Sequence, residues 1–171
     1  MQKPQWPPQA AEWLDKSTKL KEVILLRLES MPESQRHLAP KPGEWSAAGV
    51  VEHLVLVEEC IAGPWRQRRL EISPVKPGIK SGLVSRSASF VLSKTNIRVP
   101  TVSELEPKEQ MSTNELKKRW DTARASLIAA LPNDSQSAWI IHPVFGPLSC
   151  NQMCKLLTSH LEHHLHHFPS P

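Results

Sequence analysis

The chain has 171 residues, 39% hydrophobic and 22% charged, with six Trp, three Phe and no Tyr. That balance excludes a disordered or fibrous polypeptide and suffices for one buried core without disulfides or structural metal. A formal charge of +4 is too small an excess to indicate a nucleic-acid partner, and the three cysteines, the absence of an apolar leader and the lack of any run near about 20 apolar residues point to a cytoplasmic protein without a membrane span.

After a Pro-rich lead, Ala11 to Met31 places Trp13, Leu20, Val23, Ile24, Leu28 and Met31 at helical spacings, and Pro32 ends this first helix. The stretch from Ala39 to Trp45 holds Pro40, Pro42 and Gly43 and reads as an extended turn. Ser46 then caps a second helix from about residue 47 to 63 or beyond, with Gly63 and Pro64 as its end or kink. Arg66, Arg68 and Arg69 beyond it read as the solvated end of a helix, where cations suit the C-terminal dipole.

From Ile72 to Gln110 the periodicity is poor and six Pro or Gly residues interrupt it, which predicts a long irregular crossing of the kind that borders functional pockets. Ser112 or Thr113 caps a third helix that carries Leu116, Trp120, Ala123, Leu127 and Ala130 on one side and stops at Pro132. Ser137 to Ser149 is short, apolar and broken by Pro143, Gly146 and Pro147, and reads as a loop. Ser149 caps a fourth helix that reaches Phe168. The expectation is an all-α four-helix bundle, one domain spanning residues 1–171 with its core at about 10–168, and a long crossing between helices two and three.

Five of the eight histidines lie between His160 and His167. At 100° per residue His160, His164 and His167 share one face, which begins apolar with Met153, Leu156 and Leu157; His163 lies at its edge and His166 points elsewhere. Two histidines at i and i+4 can direct ring nitrogens at one ion, but two ligands rarely suffice. His53, midway along helix two among Val50, Leu56, Val57 and Cys60, is the candidate third; its other reading is a satisfied core histidine.

The remaining polar residues have plainer readings. Glu52 and Glu162 neighbour these histidines but are turned about 100° away, as exposed residues or as partners supporting a ligand. Glu58 and Glu59 are also near these histidines in sequence, where a base would help. Cys60 reads as a small hydrophobe, Cys150 and Cys154 as packing residues on another face, His142 as part of the Phe145-Gly146 turn, and His37 as surface.

Pro42 to Leu54, with its Trp-Ser pair opening a helix and a histidine following on it, resembles the first signature of the DinB/YfiT-like superfamily. His142 to Phe168, with a His-Pro, a Phe-Gly turn and a helix bearing His-x-x-x-His, is similar to the second. The resemblance covers about residues 10 to 168. It implies a DinB-type four-helix bundle with His53, His160 and His164 holding a divalent ion, nickel or zinc, with iron or manganese also suited to three imidazoles. It also implies a metal-dependent hydrolase or thiol-dependent S-transferase acting on a small molecule, with a low-molecular-weight thiol as partner. The family's final helix often continues with a polar residue such as Gln, where this chain has Leu165, His166, His167 and Phe168.

The alternative is a non-catalytic bundle that binds a metal, a small molecule or a partner. Storage of haem or metal by the C-terminal cluster is disfavoured, because the repeated His tracts of such proteins are missing. A homodimer fits a bundle of this size, though no sequence feature marks its interface.

Overall fold

The computed structural model describes residues 7–64, 67, 103–108, 111–132, 138–143 and 145–168. Most of the expected crossing, and with it Arg66, Arg68 and Arg69, lies outside these residues. The fold is all-α: among the described residues there are four long helices, one short helix and a small two-stranded sheet.

Helix α1 (Pro8–Ser30) starts earlier than the apolar spacing indicates, because Pro8 at the first helical position needs no N–H partner. Its buried residues Ala10, Leu14, Ser17, Lys21, Ile24 and Leu28 recur every three or four positions and form one stripe. A short helix α2 (Glu33–Arg36) follows Pro32 and escaped the sequence reading, being too brief to show a period. Arg36 secures it, donating to the carbonyls of Met31 (3.0 Å) and Glu29 (2.8 Å) and to Thr113 Oγ1 (2.9 Å).

Helix α3 (Ala47–Ala62) opens with Ser46 Oγ accepting from the Gly49 N–H and ends as the Gly63 N–H bonds the Glu59 carbonyl. It is buried on most of its circumference, as suits an element with neighbours on several sides. After a 3-10 turn at Ser103–Leu105, helix α4 (Thr113–Ala130) begins with a reciprocal Ser112/Glu115 capping box and buries Leu116, Trp120, Ala123, Arg124 and Leu127.

The segment expected to be a loop is a β-hairpin. Strand β1 (Ala138–His142) pairs antiparallel with β2 (Gly146–Ser149), with Ile140 opposite Leu148 and His142 opposite Gly146. Its Pro and Gly residues do not break it: Pro143 lies just past β1, Gly146 takes a φ of +70°, and Pro147 needs no donor on an unpaired edge. Buried Trp139, Ile140 and Leu148 anchor the hairpin in the core. Helix α5 (Cys150–Leu165) follows at once, started by a second reciprocal box between Ser149 and Gln152.

Helix α1 packs chiefly on α5, and α3 chiefly on α4. The core has two apolar clusters. One joins Leu14, Ile61, Leu127 and Leu157 to the hairpin; the other joins Ile24, Leu28, Leu54, Leu116, Trp120, Leu161 and Phe168. Between them along the helices lies a polar layer in which Arg124 grips Glu58 with two bonds (2.5 and 2.7 Å). Trp120 Nε1 donates to the same carboxylate (2.8 Å), and Arg124 also donates to Ser17 Oγ (3.1 Å) and Thr18 Oγ1 (2.9 Å). Among the described residues no helix is long and apolar enough to cross a membrane.

Candidate metal centre

Helices α3 and α5 bring His53, His160 and His164 together. Each offers a ring nitrogen within 4.8 Å of the other two. The Nε2 atoms of His53 and His160 stand 3.3 Å apart, and those of His160 and His164 3.0 Å. Three nitrogens each about 2.1 Å from one ion are spaced about 3.0–3.4 Å on an octahedral face or in a tetrahedron. The donor set therefore fits a divalent ion.

The local sequence explains the placement. Gly49 lets the Trp45-Ser46 corner close on α3, since a Cβ there would lie 3.3 Å from Ser46 Oγ and 3.5 Å from Trp45 Cβ. That corner sets the Trp45 ring 4.8 Å from the His53 ring. On the other side, His53 Nδ1 donates its hydrogen to the Leu105 carbonyl oxygen at 2.8 Å. A carbonyl only accepts, so neutral His53 carries its proton on Nδ1 and turns a bare lone pair on Nε2 toward the cluster.

Burial lowers the basicity of all three rings. It pushes His53 down to about 4, with the Leu105 bond opposing and nearby His163 adding to the effect. His160 and His164 lie well below the ordinary imidazole range, first through burial and then through the neighbouring imidazoles. At neutral pH the rings are uncharged, the form a metal requires.

Without an ion the cluster is badly satisfied. His160 Nε2 faces two nitrogens, yet one in-plane direction lets it donate or accept a single bond, so at most one of the two contacts is a hydrogen bond. His164 Nδ1 is buried with no partner. A cation at the centre would take all three Nε2 lone pairs together and so resolve the conflict at His160; the His164 Nδ1 would stay without a partner.

The other sequence candidates separate. Glu52 is not exposed: it is 3% accessible, accepts from the Lys108 N–H at 3.4 Å and lies 4.0 Å from Arg119. The α3–α4 packing covers its side of the helix. Glu162 pairs with Lys16 at 2.6 Å. Glu59 pairs with Arg119, and Glu58 is spent on Arg124. Cys60 packs against the hairpin-side cluster, which includes the buried Cys150 and Cys154; a hydrogen bond between those two sulfurs, and then burial, raises the Cys154 thiol.

His142 accepts from the Phe145 N–H through Nδ1 (3.3 Å) and stacks on its ring, and burial pushes it down to about 4. His37 is half-buried at the end of α2 rather than plain surface. His163, at the edge of the stripe, is buried: it is 8% accessible, with its ring 5.1 Å from that of His164, because that edge is itself covered in the packed bundle. His167 is exposed, 5.3 Å from the His164 ring.

Sequence reasoning missed the Leu105 carbonyl, which no side-chain pattern encodes, and the Trp45 ring contact, for which the Trp-Ser pair was the available signal. No curated protein and no solved structure matches the chain significantly. A family model does match residues 18–168, nearly the whole of the bundle just described, and the chain belongs to the DinB superfamily.

Proposed function

We propose that this chain is a metal-dependent enzyme in which His53, His160 and His164 hold one nickel or zinc ion, acting as a hydrolase or a thiol-dependent S-transferase on a small molecule. The observation that carries the proposal is the convergence of three uncharged imidazoles, with ring nitrogens all within 4.8 Å and two Nε2 pairs at 3.0 and 3.3 Å, in a cluster where His160 Nε2 cannot satisfy both contacts without a cation. A three-His divalent ion supplies Lewis acidity and open positions, which hydrolysis and thiol transfer both use.

The protein's own contribution is orientation. The Leu105 carbonyl fixes the His53 tautomer, Trp45 packs against the same ring, and burial keeps the imidazoles neutral. No carboxylate is assigned as a base, since Glu58, Glu59 and Glu162 are engaged in ion pairs.

A single-domain chain, a cytoplasmic location, a low-molecular-weight thiol partner and a homodimer belong to the same proposal. The odd count of three cysteines supports the second, and the exposed side chains of Leu26 and Leu38 support the last.

The test is elemental analysis of untagged protein purified without nickel resin, followed by a screen of esters and amides with and without thiols. We expect about one tightly held ion per chain, lost on His53→Ala, and turnover that follows the ion. Protein that refuses added zinc and nickel would overturn the proposal. Bound ion with no turnover of any substrate would favour the non-catalytic alternative.

A further inference from the structure

The metal centre uses two of the five clustered histidines, and the others are not randomly placed. His163 and His167 stand one helical turn apart with ring centres 5.5 Å from each other, and the His164 ring lies 5.1 and 5.3 Å from them. An ion bound about 2.1 Å from a ring nitrogen lies about 3.2 Å from the ring centre, so two rings on one ion have centres about 4.5–6.4 Å apart. The inner three, at 4.6, 5.0 and 5.2 Å, and the outer three both fall in that window.

A second observation points the same way. His164 directs Nε2 at the inner cluster, while its Nδ1 is buried and has no partner. Side-chain nitrogens are rarely buried unpaired. This one belongs to the ring that neighbours both the inner histidines and the His163/His167 pair. The pair occupies the C-terminal turn of α5, where the helix dipole favours a cation. Arg27 reaches the Leu165 and Phe168 carbonyls on the adjoining face and accounts for part of that potential.

We propose that His163 and His167, with Nδ1 of His164, form an outer site for a divalent cation such as zinc or nickel, sharing His164 with the inner centre. Among the described residues only the inner set already has its ligand atoms mutually within 4.8 Å. The outer set closes when His167, which is exposed, turns its ring. One nitrogen from each ring is enough, and the other is left for a hydrogen bond of its own, as in ligating histidines generally.

Sharing makes the two sites antagonistic. With an outer ion on Nδ1, the His164 proton resides on Nε2 and can be donated to His160. With an inner ion on Nε2, the proton resides on Nδ1, and the outer site falls to two imidazoles. The pair, with His167 on its exposed side, thus forms an entry station whose hold weakens once the inner centre is filled.

The inference goes beyond the proposed function and does not need it. Calorimetric titration of metal-free, untagged full-length protein with zinc chloride, with dialysis and elemental analysis, tests it. Wild type should show two classes, the second at least about tenfold weaker. His167→Ala, at an exposed position, should remove the weak class and leave the tight one unchanged. His53→Ala should remove the tight class and leave a weak one that binds more firmly than in wild type; His166→Ala should change nothing.

A single class titrating identically in wild type and His167→Ala overturns the outer site, as does a weak class that His166→Ala removes equally well. If the tight class is missing from wild type, or survives His53→Ala, while the weak class still obeys His167→Ala, the inner centre fails and the outer site stands.

Discussion

Two groups of buried polar side chains lie in the same bundle, and they are opposites. In the Glu58–Arg124 layer each carboxylate oxygen accepts from Arg124, Trp120 adds a third bond, and the remaining guanidinium donor reaches Ser17 and Thr18. In the His53–His160–His164 cluster one of two close contacts is necessarily unmade and one nitrogen is orphaned. A polar layer that satisfies itself ties three helices together, whereas one that does not is shaped for something it receives. Burial alone would not tell them apart; the accounting of donors and acceptors does.

The comparison breaks most sharply at Arg124. Replacing Glu58 or Arg124 singly with Ala strands a buried charge and should lower stability by about 3–5 kcal/mol in urea unfolding. A Glu58→Leu/Arg124→Met double variant should recover most of that loss. His53→Ala in metal-free protein should cost far less; an equal cost would show the histidine cluster to be structural as well.

Acid should act on the other side. The unfolded chain takes up protons at its histidines near pH 6.5, whereas folded His53 refuses one until about 4. Its folded value is depressed, so its contribution to stability is full above 6.5, is lost as the pH drops from 6.5 to about 4, and changes no further below. A shift from 6.5 to about 4 is worth about 3 kcal/mol for His53. Metal-free His53→Ala should show a shallower decline over that window, measured by urea unfolding at stepped pH.

Adding zinc should reverse the asymmetry. Zinc at about a hundred times its dissociation constant should stabilise the wild type by about 2.7 kcal/mol. It should do the same for a Glu58→Leu/Arg124→Met protein and much less for His53→Ala. A smaller effect is expected at Ser149, whose hydroxyl starts the helix bearing two of the histidines. Ser149→Ala should cost about 1 kcal/mol while leaving ion affinity within about twofold, separating helix stability from ligand geometry.

Much of this was legible in the residues. The apolar spacing and the serine caps gave the four long helices, and the i, i+4 relation of His160 and His164 survived into three dimensions. The hairpin was hidden because Pro143, Gly146 and Pro147 punctuate loops and tight two-stranded turns alike. The polar layer was hidden because Glu58 and Arg124 are 66 positions apart, and a charged residue on a helix reads as exposed until its partner is known. The burial of His163 at the edge of its stripe was not legible either, since helical phase gives a direction but not what covers it.

One contact bears on how freely the sequence can drift. The partner that holds His53 in its metal-ready tautomer is a main-chain oxygen at residue 105, and no substitution deletes a carbonyl. What position 105 must keep is apolar bulk, because the buried Leu105 side chain moors the Ser103–Leu105 turn against α3. Ligand chemistry is thereby insulated from mutation at its supporting position: Ile or Met there should preserve the tautomer, and only changes that unmoor the turn should disturb it.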